Sequence, residues 1–137
     1  MKTISFTING NQEDIYGNPI PYHRVVGRAL WLPSAKRYSA WKSFVRKTFY
    51  SEYPAYLERK GKDILTQKEP LTTSPALRAR MDIQVYWMNG NHGDPDNIFK
   101  GIADALFIND KFLDGSFETN NAPDGKGRVV ITITHNQ

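Results

Sequence analysis

The stretch from Met81 to Leu106 leaves this chain little conformational freedom. Met81, Ile83, Val85 and Trp87 alternate with Asp82, Gln84 and Tyr86, the two-residue period of a strand with one buried face. Asn89-Gly90-Asn91-His92-Gly93 then breaks the pattern as a flexible turn. Beyond it, Ile98, Ile102 and Ala105 or Leu106 recur at helical spacing. A strand, a turn and an amphipathic helix follow one another, and two carboxylates, Asp94 and Asp96, stand at the junction.

Asp96 suits the N-cap of this helix, where a carboxylate accepts backbone N–H bonds and meets the positive end of the helix dipole. A cap needs one acid, however. Asp94 sits across Pro95, which fixes its own φ and keeps its predecessor extended. Two carboxylates about 4 Å apart repel by roughly 4 kcal/mol at an effective dielectric of about 20, so gathering them without a cation costs stability. Mg²⁺ takes oxygen ligands and is commonly held by one or two carboxylates, with phosphate and water completing its shell. The pair therefore points to a hard divalent cation and to phosphodiester hydrolysis. An EF-hand loop also opens with two acids one residue apart, but here Ile98, Phe99 and Ala105 occupy the places of the third oxygen ligand, the turn glycine and the bidentate glutamate.

Lys100 lies four residues from both Asp96 and Asp104, so the three share a helix face. Two roles are open to it: an exposed ion-pair ladder, or a cation aimed at the scissile phosphate. Asp104 reads as structural, partnering Lys100 or a backbone group. His92 is either a solvent-exposed loop histidine or a ligand or proton shuttle beside Asp94.

A net charge of +4 favours an anionic partner only weakly, but its distribution says more. No Asp or Glu occurs between Ile15 and Ser51, while Arg24, Arg28, Lys36, Arg37, Lys42, Arg46 and Lys47 supply seven cations. Asp94, Asp96, Asp104, Asp110 and Asp114 then stand against Lys100 and Lys111. A basic surface beside an acidic cluster suits a protein that attracts a polyanion and brings a cation to it; a solvated helix face gives the same pattern with no partner. Trp31, Tyr38 and Trp41 lie among the cations, where aromatic rings can stack on unpaired bases, although Trp41 falls at a core spacing. The absence of cysteine rules out disulfides and thiolate metal sites and fits a reducing cytosol. No apolar run approaches the roughly 18 residues of a membrane helix, and the opening residues lack the apolar block of a signal peptide.

The 137 residues fit one domain, 1–137, of α+β class: a mixed sheet of about four strands with two main helices. Ile4, Phe6 and Ile8 mark a first strand ending at Asn9-Gly10. Asn11 to Pro33 reads as loop with short extended pieces at Val25-Val26 and Ala29–Leu32. Trp41, Phe44, Val45, Thr48 and Phe49 define a helix from about Ser34 that Pro54 ends. Glu58 to Ala76 reads as a connection with a helical turn at most. Lys111 to Thr119 forms a strand, Ala122 to Gly127 a turn, and Arg128 to Thr134 the last strand.

Asp94-Pro95-Asp96-Asn97, Lys100, Asp104-Ala105-Leu106 and Asn109-Asp110 together resemble the D-x-D-N-x-x-K-x-x-x-D-A-L signature of the RusA family of Holliday junction resolvases. The resemblance is strong over residues 92–114 and looser at Ile4–Ile8, at the basic Arg37–Lys42 region and in the closing strand. It implies a Mg²⁺-dependent endodeoxyribonuclease, with Mn²⁺ as a substitute, that resolves four-way DNA junctions by paired symmetric nicks in recombination and repair. It also implies a homodimer, cytoplasmic and of bacterial or phage origin. By this match Asp94, Asp96 and Asp110 are the metal-holding catalytic acids and Lys100 the phosphate-facing cation. Only Phe107 and Ile108 separate Leu106 from Asn109, a shorter turn than relatives tend to have, which makes Asp114 the alternative third ligand. The Asn89–Gly93 turn is neutral where some relatives are basic, so DNA contacts fall to the Arg24–Lys47 cations. A DNA-binding accessory protein without catalysis, or a flap or fork nuclease of the same chemistry, are the competing functions.

Overall fold

Each central strand buries every second side chain, and that alternation orients the whole sheet. The computed structural model describes residues 1–24, 32–60, 64–66 and 68–136, with the backbone alone at 58–60 and 64–66. Its elements are β1 (Lys2–Asn9), α1 (Pro33–Glu52), β2 (Glu58–Lys60), β3 (Ile64–Thr66), β4 (Ala79–Trp87), α2 (Pro95–Leu106), β5 (Leu113–Asn121) and β6 (Arg128–His135), with a 3₁₀ turn at Pro54–Tyr56. The expected extended pieces at Val25-Val26 and Ala29–Trp31 lie outside the described residues, as do Arg28 and Trp31.

The main sheet runs β1-β6-β4-β5. β6 lies antiparallel to both β1 and β4, whereas β5 lies parallel to β4. In this register Phe6, Ile131, Ile83 and Phe117 form one row across the four strands. The face carrying that row holds Ile8, Met81, Val85, Val129 and Ile133 in a core shared with both helices. α1 contributes Trp41, Val45 and Phe49, and α2 contributes Ile98, Ile102, Ala105 and Leu106. The architecture is α+β: two helices on one face of a mixed sheet whose other face carries polar residues such as Ser5, Thr132 and Gln84. Two short strands, β2 and β3, pair antiparallel within the segment expected to be plain connection. Glu58, Arg59 and Lys60 offer no apolar alternation from which a strand can be read.

Close approaches fix the joints. Gly10 has φ +62° and donates its N–H to the Gly127 carbonyl at 2.8 Å, and a Cβ there would meet the Asp14 carbonyl at 2.3 Å. At Gly115 in β5 a Cβ would lie 2.0 Å from the Met81 carbonyl oxygen and 2.7 Å from the Phe99 ring. The missing side chain lets α2 set Phe99 down on the strand. Gly115→Ala is expected to cost about 1–3 kcal/mol in urea unfolding, the usual range for overpacking; an unchanged midpoint would show that the contact relaxes freely.

His135 closes β6 fully buried, its Nε2 3.0 Å from the Tyr56 hydroxyl. Burial, aided by the positive charges of Lys2 and the N-terminus, lowers its pKa. The unfolded chain therefore binds the proton more readily, so stability is full above the ordinary histidine pKa of about 6.5 and falls as pH drops through and below it. His135→Gln is expected to flatten the stability profile between about pH 7 and 5. An equally steep profile in the variant would assign that dependence to other groups.

Candidate functional site

The carboxylates occupy the turn where the chain leaves the sheet. Pro95 takes the first helical position of α2, which makes Asp94, and not Asp96, the N-cap residue. Asp94 is extended (φ −73°, ψ 141°), and its carbonyl accepts the N–H groups of Asn97 and Ile98 at 3.1 and 3.2 Å. Its carboxylate makes no capping hydrogen bond. Asp96 stands in the first turn, also exposed, with Lys100 exposed one turn further on. Among the described residues, the side chains of Asp94, Asp96 and Lys100 form no hydrogen bond or ion pair.

The ion-pair ladder from Asp96 through Lys100 to Asp104, one of the two roles open to Lys100, is therefore not made among the described residues. Asp104 turns to α1 instead, accepting a hydrogen bond from the Tyr38 hydroxyl at 2.6 Å and an ion pair from Lys42 at 3.2 Å. Burial, and next the bond to Asp104, raise the Tyr38 pKa far above the phenol range, so the hydroxyl remains a donor. Arg46 reaches the far end of α2, donating to the Ala105 carbonyl at 2.8 Å and pairing with Glu69 at 3.0 Å. Arg37 pairs with Glu13 at 2.7 Å. Of the cations expected to meet DNA, Arg24, Lys36 and Lys47 are exposed and make no ion pair among the described residues. Tyr38 and Trp41, expected as base-stacking candidates, are 3% and 0% exposed and belong to the core.

The 88–93 turn is held more firmly than its sequence suggests. Asn18 accepts from the Met88 N–H at 2.6 Å and donates to the Asn91 carbonyl at 3.1 Å. His92 stacks on Trp87, with ring centroids 3.8 Å apart and planes within 3°, and its Nδ1 lies 2.8 Å from the Gly93 carbonyl oxygen. Between this turn, the 11–21 loop and Arg37 lies a polar groove of about 520 Å³ that runs up to Gly93, next to Asp94. Asn18 reads only as a loop residue in sequence; no local pattern shows that it meets a turn seventy positions away.

Asp110 lies elsewhere. The 12 residues of α2 carry the chain about 18 Å back along the sheet, so Asp110 follows the opposite end of the helix from Asp94. There it precedes β5, in a turn pinned by Thr73, which donates to the Asn109 carbonyl at 2.6 Å and accepts from the Phe112 N–H at 3.2 Å. The Asp110 side chain is exposed and has no partner among the described residues, whereas Asp114 pairs with Arg78 at 3.4 Å. Among the described residues, no three acidic or histidine side chains converge within the single chain. No helix of the described residues is long and apolar enough to cross a membrane.

The chain matches no model of a known protein family, and no curated protein matches it.

Engaged and unengaged groups are expected to differ in stability. Tyr38→Phe removes a hydrogen bond to a carboxylate and should cost about 1.5–3 kcal/mol. Lys100→Met should cost well under about 1 kcal/mol, the scale of exposed ion pairs at most. Comparable losses in urea titrations would mean that Lys100 has a folding role.

Proposed function

We propose that the protein is a Mg²⁺-dependent, structure-specific endodeoxyribonuclease that hydrolyses phosphodiesters in branched DNA, with the four-way junction as substrate. One observation carries the proposal: Asp94, Asp96 and Lys100 are exposed and, among the described residues, unengaged in the first two turns of one helix, while neighbouring Asp104 is neutralised by Tyr38 and Lys42. The helix dipole gives one acid at this end a structural use and leaves the second acid and the lysine without one. The resemblance of residues 92–114 to the RusA signature supports the same chemistry.

The donor set fits the cation, since paired carboxylates at an open turn leave room for water and phosphate oxygens to complete an oxygen shell. Asp94 and Asp96 would hold it; Asp110, at the opposite end of α2, does not reach them within one chain. When bound, Mg²⁺ supplies positive charge at the phosphate and a more acidic water. The chain's own part is positioning. Pro95 holds Asp94 extended before the helix, the Asn18 bonds fix the adjoining turn, and α2 carries Lys100 one turn on to neutralise charge on the phosphate oxygens. Arg24, Lys36 and Lys47 supply the unpaired charge for the DNA arms.

Labelled junctions, flaps, forks and linear duplex, incubated with Mg²⁺ or with EDTA, test the proposal directly. Paired nicks in the junction with Mg²⁺ alone are expected; no cleavage of any substrate would favour a DNA-binding accessory protein, and flap or fork cleavage alone would move the substrate. Lys100→Met is expected to lower the single-turnover rate by about 10²- to 10³-fold, the effect of losing one preorganised electrostatic contact. Its junction affinity should hardly change. Arg24→Ala, Lys36→Ala and Lys47→Ala should each reduce the log–log salt slope of binding by up to about 0.9, and an unchanged slope in all three would remove these cations from the interface.

A further inference from the structure

The polar groove beside Asp94 has walls that are already set. Asn18 joins them: from the 11–21 loop its side chain accepts the Met88 N–H at 2.6 Å and donates to the Asn91 carbonyl at 3.1 Å and to Asn89 Oδ1 at 3.3 Å. Asn11 stiffens the loop behind it, accepting the Glu13 and Asp14 N–H groups at 2.8 and 3.0 Å and donating to the Asn18 carbonyl at 2.7 Å. These bonds leave the Asn91 side-chain amide and Asn89 Nδ2 without a partner among the described residues. Glu13, Asp14 and Arg37 also line the groove, with Arg37 paired to Glu13. Two carboxylates against one engaged guanidinium disfavour phosphate, so the groove suits a neutral group rich in hydrogen bonds. Its donors and acceptors match the edge of a nucleobase, where amides bond in pairs and carboxylates accept from exocyclic amines.

One wall is a ring stack. Trp87, 4% exposed at the end of β4, is a fixed support on which the His92 ring lies 3.8 Å away and within 3° of parallel. His92 is exposed and borders the groove. With one face on Trp87, the ring offers its other face outward, a surface on which a nucleobase can continue the stack. The groove holds about 520 Å³, within the roughly 300–1,000 Å³ of small-ligand sites.

We propose that the groove takes one unstacked nucleobase of the DNA, laid on His92, from a nucleotide next to the phosphate at Asp94 and Asp96. The site rests on the nuclease function, which puts the scissile phosphate there, and it gives that function a source of selectivity. A base within a duplex has to leave its stack before it can enter, whereas at a branch point unstacking costs less. Base capture therefore favours junctions over linear duplex before any bond is cut. His92, Asn89 and Asn91 are specificity residues that act on binding and not on the reacting atoms.

Binding in EDTA tests the site apart from turnover. Four-way junctions with a single abasic nucleotide, placed in turn at each position flanking the branch, are titrated with the wild type, His92→Ala and His92→Phe, their folding verified by circular dichroism. An abasic nucleotide at one position should weaken wild-type binding about tenfold, the scale of one lost base–aromatic stack. His92→Ala should lose a similar factor on the intact junction and then bind intact and abasic junctions equally. His92→Phe, which keeps a ring, should bind as the wild type does. Additive losses, or equal wild-type binding to every abasic junction, overturn the base site even if the protein cleaves. Saturation of the wild type by micromolar deoxynucleoside monophosphate alone overturns it too, because the groove is then a site for free nucleotide. Coupled losses in a protein that cuts nothing with Mg²⁺ overturn the nuclease function and leave the base site standing, and a wild type that binds no junction overturns both.

Discussion

Burial of one stripe of α2 holds the site in place. Ile98, Ile102 and Leu106 are fully buried, and each such side chain contributes about 1.5–3 kcal/mol relative to exposure. β4 and β5 are parallel, so the chain must return the length of the sheet between them, and α2 is that return. Locking its apolar stripe to the sheet fixes where Asp94 leaves β4 and where Asp110 enters β5. Gly115 completes the fit by admitting Phe99 against the strand.

Charge is divided along the same lines. Lys42 and Arg46 of α1 serve the fold: one neutralises Asp104, the other places a cation on the carbonyl end of α2, where the helix dipole favours it. The acids at the opposite end receive no such partner among the described residues. Under the proposed function these two carboxylates, whose side chains have no partner among the described residues, would receive a cation that brings its own positive charge. The exposed cations Arg24, Lys36 and Lys47 would meet the proposed DNA substrate.

The strands and helices that the sequence made legible are those with a strict period. β4 alternates without a fault from Ala79 to Trp87, and α2 keeps its stripe from Ile98 to Leu106, so both were readable within a residue or two. Where the local signal was weak or ambiguous, the outcome turned on non-local pairing or on a neighbouring proline. β2 has only charged residues and exists through its pairing with β3. The helix start moved from Asp96 to Asp94 because Pro95 can enter the first turn without needing a donor. Asp104 lies four residues from Lys100, yet α1 delivers a closer hydroxyl and amine from across the helix interface. Same-helix spacing shows which groups can meet, not which groups a second helix brings. The order β1-β6-β4-β5 is equally a product of long-range pairing.

The central claim is that Asp94 and Asp96 hold a divalent cation. Calorimetric titration of Mn²⁺ into the wild type and into the Asp94→Asn, Asp96→Asn double variant, with folding verified by circular dichroism, tests it without depending on turnover. The account predicts saturable binding by the wild type and loss of at least about tenfold in affinity, roughly 1.4 kcal/mol, in the variant. Equal binding by the two proteins, or none by the wild type with junction DNA present, would contradict it.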